Sequence, residues 1–113
     1  MISMYGISNC DTVKKARSFL ATHNIDYTFI DFKKTAPTSV QIREWAEFFG
    51  ELPINKKGTT YRKHKEQYEA LGRLAQIDFI IANPSLIKRP VLVNNDHTLA
   101  LGFDEARYSE LLL

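Results

Sequence analysis

One residue in this chain of 113 stands out for covalent chemistry, the sole cysteine, Cys10. A cysteine attacks as its thiolate, and a free thiol ionises only near pH ~8.5. Cys10 follows a short apolar run, residues 2–7, and directly precedes a stretch with helical periodicity. That places it at a strand–loop–helix junction, close to a helix N-terminus. Unpaired backbone N–H groups there carry partial positive charge and favour a thiolate. Lys14 lies four residues on, so it shares a helix face with Cys10 and adds a cation. Asp11 works against this, because its charge disfavours a neighbouring thiolate; as a favoured cap residue it is expected to cap the helix. Asn9 and Thr12 either donate hydrogen bonds to the thiolate or cap the helix themselves. The bland alternative is a buried, inert thiol. The segment reads Cys10-Asp11-Thr12-Val13, with no second cysteine three residues later. Dithiol exchange within the loop is therefore impossible, and turnover requires an external thiol.

A second candidate segment is Lys88-Arg89-Pro90. The guanidinium of Arg89 presents a fork of donors suited to a carboxylate or oxyanion. Pro90 at the start of a strand is tolerated, and a cis bond there would turn the flanking backbone toward a ligand. Lys33, Lys34, Lys56, Lys57, Arg62, Lys63 and Lys65 are read mainly as a solvated basic face. Gly58-Thr59-Thr60 lacks a phosphate-loop pattern. His23, His64 and His97 have no metal-ligand spacing to one another or to Cys10, so no metal site is expected.

The elements that must position these residues can be read from periodicity. Residues 2–7 form a first strand. Val13, Ala16, Phe19 and Leu20 fall on one face of a helix that stops near Asn24. Residues 27–32 form a second strand, giving a βαβ unit with parallel strands. Thr38 and Gln41 make a capping-box pattern ahead of Ile42, Trp45 and Phe49, and Gly50 ends that helix. Trp45 is expected in the core. Residues 52–63 look irregular or partly helical, followed by weak helices at about 65–71 and 74–82, with Asn83-Pro84 ending the second. Pro90 to Val93, the turn Asn94-Asn95-Asp96 and residues 97–101 form an antiparallel hairpin. Gly102 breaks it, and Asp104 caps a last helix that turns Tyr108, Leu111 and Leu112 inward. The order β-α-β, helices, β-β-α describes a thioredoxin-like α/β fold. It has a mixed four-stranded sheet and a helical insertion, at about 38–84, within a single domain spanning 1–113. A ferredoxin-like α+β domain fits the central helices poorly.

Composition narrows the function classes. The chain is 44% hydrophobic and 25% charged, which suits one globular domain, and its net charge of +2 demands neither nucleic acid nor an acidic partner. There is no apolar run long enough to span a membrane and no signal-peptide pattern. One cysteine and no export signal suggest a reducing, cytoplasmic setting. No direct nucleic-acid or membrane binding is expected.

Four blocks in order, Y-G-I-S-N-C-D-T-V-K-K-A, N-K-K-G-T-T-Y-R-K, L-I-K-R-P-V-L-V and G-F-D-E-A-R-Y, resemble the YffB branch of the ArsC/Spx family over essentially the whole chain. The resemblance implies a thioredoxin-like fold, a cis bond at Pro90, and Cys10 as nucleophile. It implies Arg89 as the oxyanion-binding arginine. It also implies a glutathione-dependent thiol reductase with no bound cofactor, glutathione as co-substrate, and glutaredoxin as a further partner. Two related activities stand beside it: arsenate reduction, and Spx-like transcriptional regulation through RNA polymerase. Two other anion-binding arginines of the arsenate reductases have no match in place. Asn55-Lys56-Lys57 stands where one would fall, and Phe103 follows Gly102 where the other would fall. Arg62 and Arg107 lie near these stretches in sequence.

Overall fold

The apolar periodicity becomes a four-stranded sheet and five helices in a computed structural model that describes residues 1–113. The strands are β1 (Ile2–Gly6), β2 (Tyr27–Asp31), β3 (Val91–Asn94) and β4 (His97–Leu101). The helices are α1 (Asp11–Thr22), α2 (Ser39–Phe49), α3 (Thr59–Glu69), α4 (Arg73–Ala82) and α5 (Glu105–Leu112), with a 3-10 turn at Pro84–Leu86. The chain divides into two compact units, residues 1–35 with 89–113, and residues 36–88.

The first unit holds the sheet, in the order β2-β1-β3-β4. β1 and β2 are parallel, as a βαβ unit requires, while β3 runs antiparallel to both β1 and β4. The side-chain period of two puts Met4, Phe29, Leu92 and Ala100 on one face. Val13, Ala16, Phe19 and Leu20 of α1 and Tyr108 of α5 pack on it to make the core. Leu111 and Leu112 are half-buried against that core. α1 ends where expected, and Asn24 takes a left-handed φ of 55° just beyond it. The hairpin turn is tighter than the three residues expected. Asn94 still pairs with His97, leaving Asn95-Asp96 as the loop, with Asn95 at φ 55°. Asp104 caps α5 through its side chain, which accepts from the Arg107 N–H at 3.2 Å.

The second unit is helical. The Thr38 hydroxyl accepts from the Gln41 N–H at 3.1 Å, and the Gln41 side chain accepts from the Thr38 N–H at 3.0 Å, a complete capping box. Gly50 closes α2 at φ 90°. Trp45 is buried with Ile42 and Ala46 on the inner face of α2. One helix differs from expectation: the stretch placed at 65–71 is helical from Thr59 to Glu69. Its two β-branched starting threonines are weak helix formers and conceal the start. Burial of Tyr61 and Tyr68, two turns apart, supplies the apolar stripe that propensity lacks. The segment around Ile54 pairs with Ile87, and the Lys88 N–H donates to the Pro53 carbonyl at 2.9 Å.

Candidate functional site

Register alone gathers the candidate segments at one end of the sheet. Gly6 closes β1 opposite Asp31 of the parallel β2, while Tyr5 faces Val91, the first residue of the antiparallel β3. The loop after β1, the residues after Asp31, the Arg89–Pro90 pair before β3 and the Gly102–Phe103 pair after β4 all emerge at this end. Backbone bonds fasten them. The Phe32 N–H donates to the Gly6 carbonyl, and the Gly102 N–H to the Pro90 carbonyl, each at 2.9 Å. The Arg89–Pro90 peptide is cis, and Gly102 turns the chain at φ 80°. Pro90 is buried and Arg89 half-buried.

Cys10 occupies the N-cap of α1 with extended backbone, φ −100° and ψ 127°. Its N–H donates to the Ile7 carbonyl at 3.3 Å, and its own carbonyl accepts from the Lys14 N–H at 2.9 Å. The side chain is half-buried, with one side against the core. The N-cap position aims its side chain at the free N–H groups of the second and third helical residues. In other helices a Ser, Thr or Asp oxygen takes those bonds. Here the position carries sulfur, and no side chain caps the helix.

This corrects the capping roles read from the sequence. Asp11 is the first residue inside the helix and does not cap it. Its charge lies in the first turn, where it suits the helix dipole and opposes a thiolate. Asn9 and Thr12 do not cap α1 either. Asn9 is exposed, and its side-chain oxygen meets the Lys33 ammonium in a long contact of 3.5 Å. Thr12 and Lys14 are exposed on the first turns of α1. Asn9, Cys10, Thr12 and Lys14 thus follow one another along a loop and helix start, while Arg89 and Pro90 arrive through the sheet.

Two residues at this end were not among the sequence candidates. Its charge alone puts Lys33 on a solvated basic face, but a parallel β2 must deliver its C-terminal residues beside the loop after β1. Phe103 stands where the resemblance implies an arginine. Its ring lies 6.0 Å from Phe19 and 4.8 Å from Tyr108, centroid to centroid, so it lies against the aromatic residues packed between α1 and α5. Arg107 is exposed on α5 and pairs with Glu110 at 3.2 Å, while Arg62 is exposed on α3.

The placement of Cys10 also depends on a missing side chain. A Cβ on Gly6 would lie 3.0 Å from Val13 Cγ2. Glycine lets α1 settle closely on β1, and the start of α1 is where the thiol sits.

A cysteine at the N-cap of the helix after β1, and a cis-proline before β3 of a mixed sheet, define a thioredoxin-like protein with a helical insertion. An ArsC family model matches residues 5–111, and the chain belongs to that family. It is similar to a solved structure called YFFB protein, at 36% identity with both chains covered in full and a TM-score of 0.87. It is similar to the structure of a possible arsenate reductase from Streptococcus mutans UA159, at 29% identity over 100% of this chain and 98% of that one, with a TM-score of 0.80. It is also similar to a global transcriptional regulator Spx of Streptococcus pyogenes, 28% identical over 93% of this chain and 80% of that protein.

Proposed function

We propose that this ArsC-family chain is a glutathione-dependent thiol reductase with Cys10 as its single nucleophile. The observation that carries the reading is the half-buried thiol at an N-cap left without any side-chain cap. A thiolate there receives the helix-start N–H groups that other side chains would take. Lys14 and Arg89 add positive charge, and Asn9 and Thr12 supply polar groups beside it. Pro90 fixes the backbone that carries Arg89 into this end of the sheet.

The substrate class is a mixed disulfide with glutathione. The Cys10 thiolate attacks the glutathione sulfur. The old S–S bond breaks, and the substrate thiolate leaves with the electron pair. A second glutathione, as thiolate, attacks the glutathione sulfur of the Cys10 adduct. Cys10 is regenerated as thiolate and glutathione disulfide departs. Two glutathione equivalents are oxidised to one disulfide whenever a whole low-molecular-weight disulfide is reduced to two thiols. With one cysteine in the chain, no intramolecular disulfide competes with the second step.

Turnover of a small disulfide with glutathione, followed by coupling glutathione disulfide to its own reductase and reading NADPH loss, tests this reading. A rate well above the uncatalysed exchange, abolished in Cys10→Ser, is expected. A rate equal to the protein-free control overturns it.

The likeness to a possible arsenate reductase favours a second reading in which the same thiolate attacks arsenate. Glutathione-dependent arsenate turnover with glutaredoxin supplied is its test. Phe103 in an arginine's place weighs against it, because an aromatic ring offers an oxyanion no donor. The likeness to Spx supports a third reading, a regulator that docks on RNA polymerase. Co-purification with a polymerase subunit is its test.

A further inference from the structure

The helical unit carries a cleft of about 440 Å³ whose lining falls wholly within residues 36–88, so it shares no residue with the thiol site. Its volume lies within the range of small-molecule sites. Local structure builds it. α3 ends at Glu69, and α4 starts at Arg73 after a short turn. The Gln76 side chain ties the two helices by donating to the Tyr68 carbonyl at 3.1 Å. The segment after α2 adds Leu52 and Ile54, both buried, as apolar lining.

Two tyrosines stand in the lining, each only 6% exposed, and their hydroxyls differ. Tyr61 donates to Glu69 Oε1 at 2.8 Å. The Tyr68 hydroxyl makes no hydrogen bond; burial is the main cause that raises it, while Arg73 lowers it and Glu51 raises it further. Both charged side chains therefore act on this hydroxyl. Unlike that of Tyr108, it is not sealed off from outside. A buried donor without a partner is costly, and a ligand that accepts from it removes the cost. The charges around it are also only partly matched. Glu51 pairs with Lys56 at 2.9 Å. Arg73 belongs to neither ion pair of the chain. Glu69 receives only the neutral Tyr61 hydroxyl, and its Oε2 has no partner. One guanidinium, one carboxylate oxygen and one phenol donor remain to be satisfied.

We propose that this cleft is a binding site for a free α-amino acid with an apolar side chain. The ligand carboxylate takes the Arg73 guanidinium, whose fork of donors suits it, together with the Tyr68 hydroxyl. The ligand ammonium group takes Glu69, and its side chain lies on Leu52 and Ile54. Other small ligands fit this lining less well. A phosphate dianion would bring like charge to Glu51 and Glu69. A simple carboxylic acid would leave Glu69 unmatched, and an amine without a carboxylate would leave Arg73 and Tyr68 so. The site is independent of any chemistry at Cys10.

The test titrates L-leucine into the full-length chain and follows amide NMR, beside two analogues that each lack one charge, L-leucinamide and 4-methylpentanoate. Saturable L-leucine shifts at Tyr68, Glu69, Arg73 and Gln76 are expected. Each analogue should bind roughly tenfold more weakly, because it forfeits a charge-assisted hydrogen bond. Arg73→Gln should weaken L-leucine roughly tenfold, and Tyr68→Phe, which keeps the buried ring, roughly three- to fivefold. Arg62→Gln makes the same charge change on the exposed side of α3, away from the cleft, and should leave the affinity unaltered. No saturable shift at millimolar L-leucine, equal binding of all three ligands, or equal losses in Arg73→Gln and Arg62→Gln would overturn the site. Inorganic phosphate that binds there more tightly than L-leucine would overturn the amino-acid assignment, and an unchanged affinity in Tyr68→Phe would remove the part given to its hydroxyl.

Discussion

Replacing Gly6 with alanine adds one methyl group where α1 packs closely on β1. The added carbon would sit 3.0 Å from Val13 Cγ2 and 3.5 Å from Cγ1. Carbon pairs prefer about 3.5–4.0 Å, so the first contact is roughly 0.5 Å too short. Val13 is fully buried and its χ1 is stiff in a helix, so it has little freedom to turn away. Overpacking of this kind costs about 1–3 kcal/mol. Loss of glycine's freedom in the unfolded chain returns about 0.4–1 kcal/mol. The net expectation is a loss of about 1–2 kcal/mol in urea unfolding. Val13→Ala alone should lose about 2 kcal/mol through burial and cavity terms. In the double variant both γ-carbons are gone and the new methyl group occupies part of the void. It should therefore be more stable than the sum of the single losses by about 1 kcal/mol, as touching residues couple. Because the same contact fixes the start of α1, iodoacetamide labelling of Cys10 should change in Gly6→Ala and recover toward wild type in the double variant. Strict additivity within about 0.3 kcal/mol, or a stabilised Gly6→Ala, would refute the idea that this glycine sets the helix position.

Two further predictions concern the tyrosines. The Tyr108 hydroxyl is buried without a partner, so Tyr108→Phe removes an unsatisfied group and should raise stability by about 1 kcal/mol in urea unfolding; a loss of similar size would show that the hydroxyl is paired. Burial pushes Tyr68 up to about 12 and raises Tyr108 as well, while the hydrogen bond to Glu69 is the main cause raising Tyr61. Above the ordinary phenol value of about 10, the unfolded chain releases protons that the folded chain keeps. Stability is therefore whole below about pH 10 and falls as pH rises toward 12, with Tyr68 contributing up to about 1.4 kcal/mol per pH unit. Tyr68→Phe should flatten that alkaline limb by about one proton in unfolding measured against pH, and an unchanged slope would contradict the burial argument.

The parts of the fold that could be read from the sequence are those fixed by local signals. Val13, Ala16, Phe19 and Leu20 announce α1 by spacing, Thr38 and Gln41 announce the start of α2, and Asn24, Gly50 and Gly102 sit at positive φ where the chain turns. The start of α3 was hidden, because Thr59 and Thr60 are poor helix formers and only the burial of Tyr61 and Tyr68 compensates. Whether Cys10 or Asp11 takes the N-cap differs by a single residue, and spacing cannot resolve that when both can stand there. The site was legible as separate pieces. Cys10 could be picked out by type and position, but Lys33 beside Asn9, and Phe103 packed on Phe19, depend on strand register and on packing between distant segments. Such placements leave no periodic trace. The parallel pairing of β1 and β2 was the one clue that could have brought Lys33 forward.

The central claim is that the lone thiol at the start of α1 is a nucleophile turned over by an outside thiol. Exposure to glutathione disulfide at neutral pH, read by intact-protein mass spectrometry, tests it most directly. The chain should gain the mass of one glutathione, at Cys10 and absent in Cys10→Ser, and added glutathione should discharge it within the same experiment. A thiol that stays unmodified, or an adduct that glutathione fails to release, would contradict the claim.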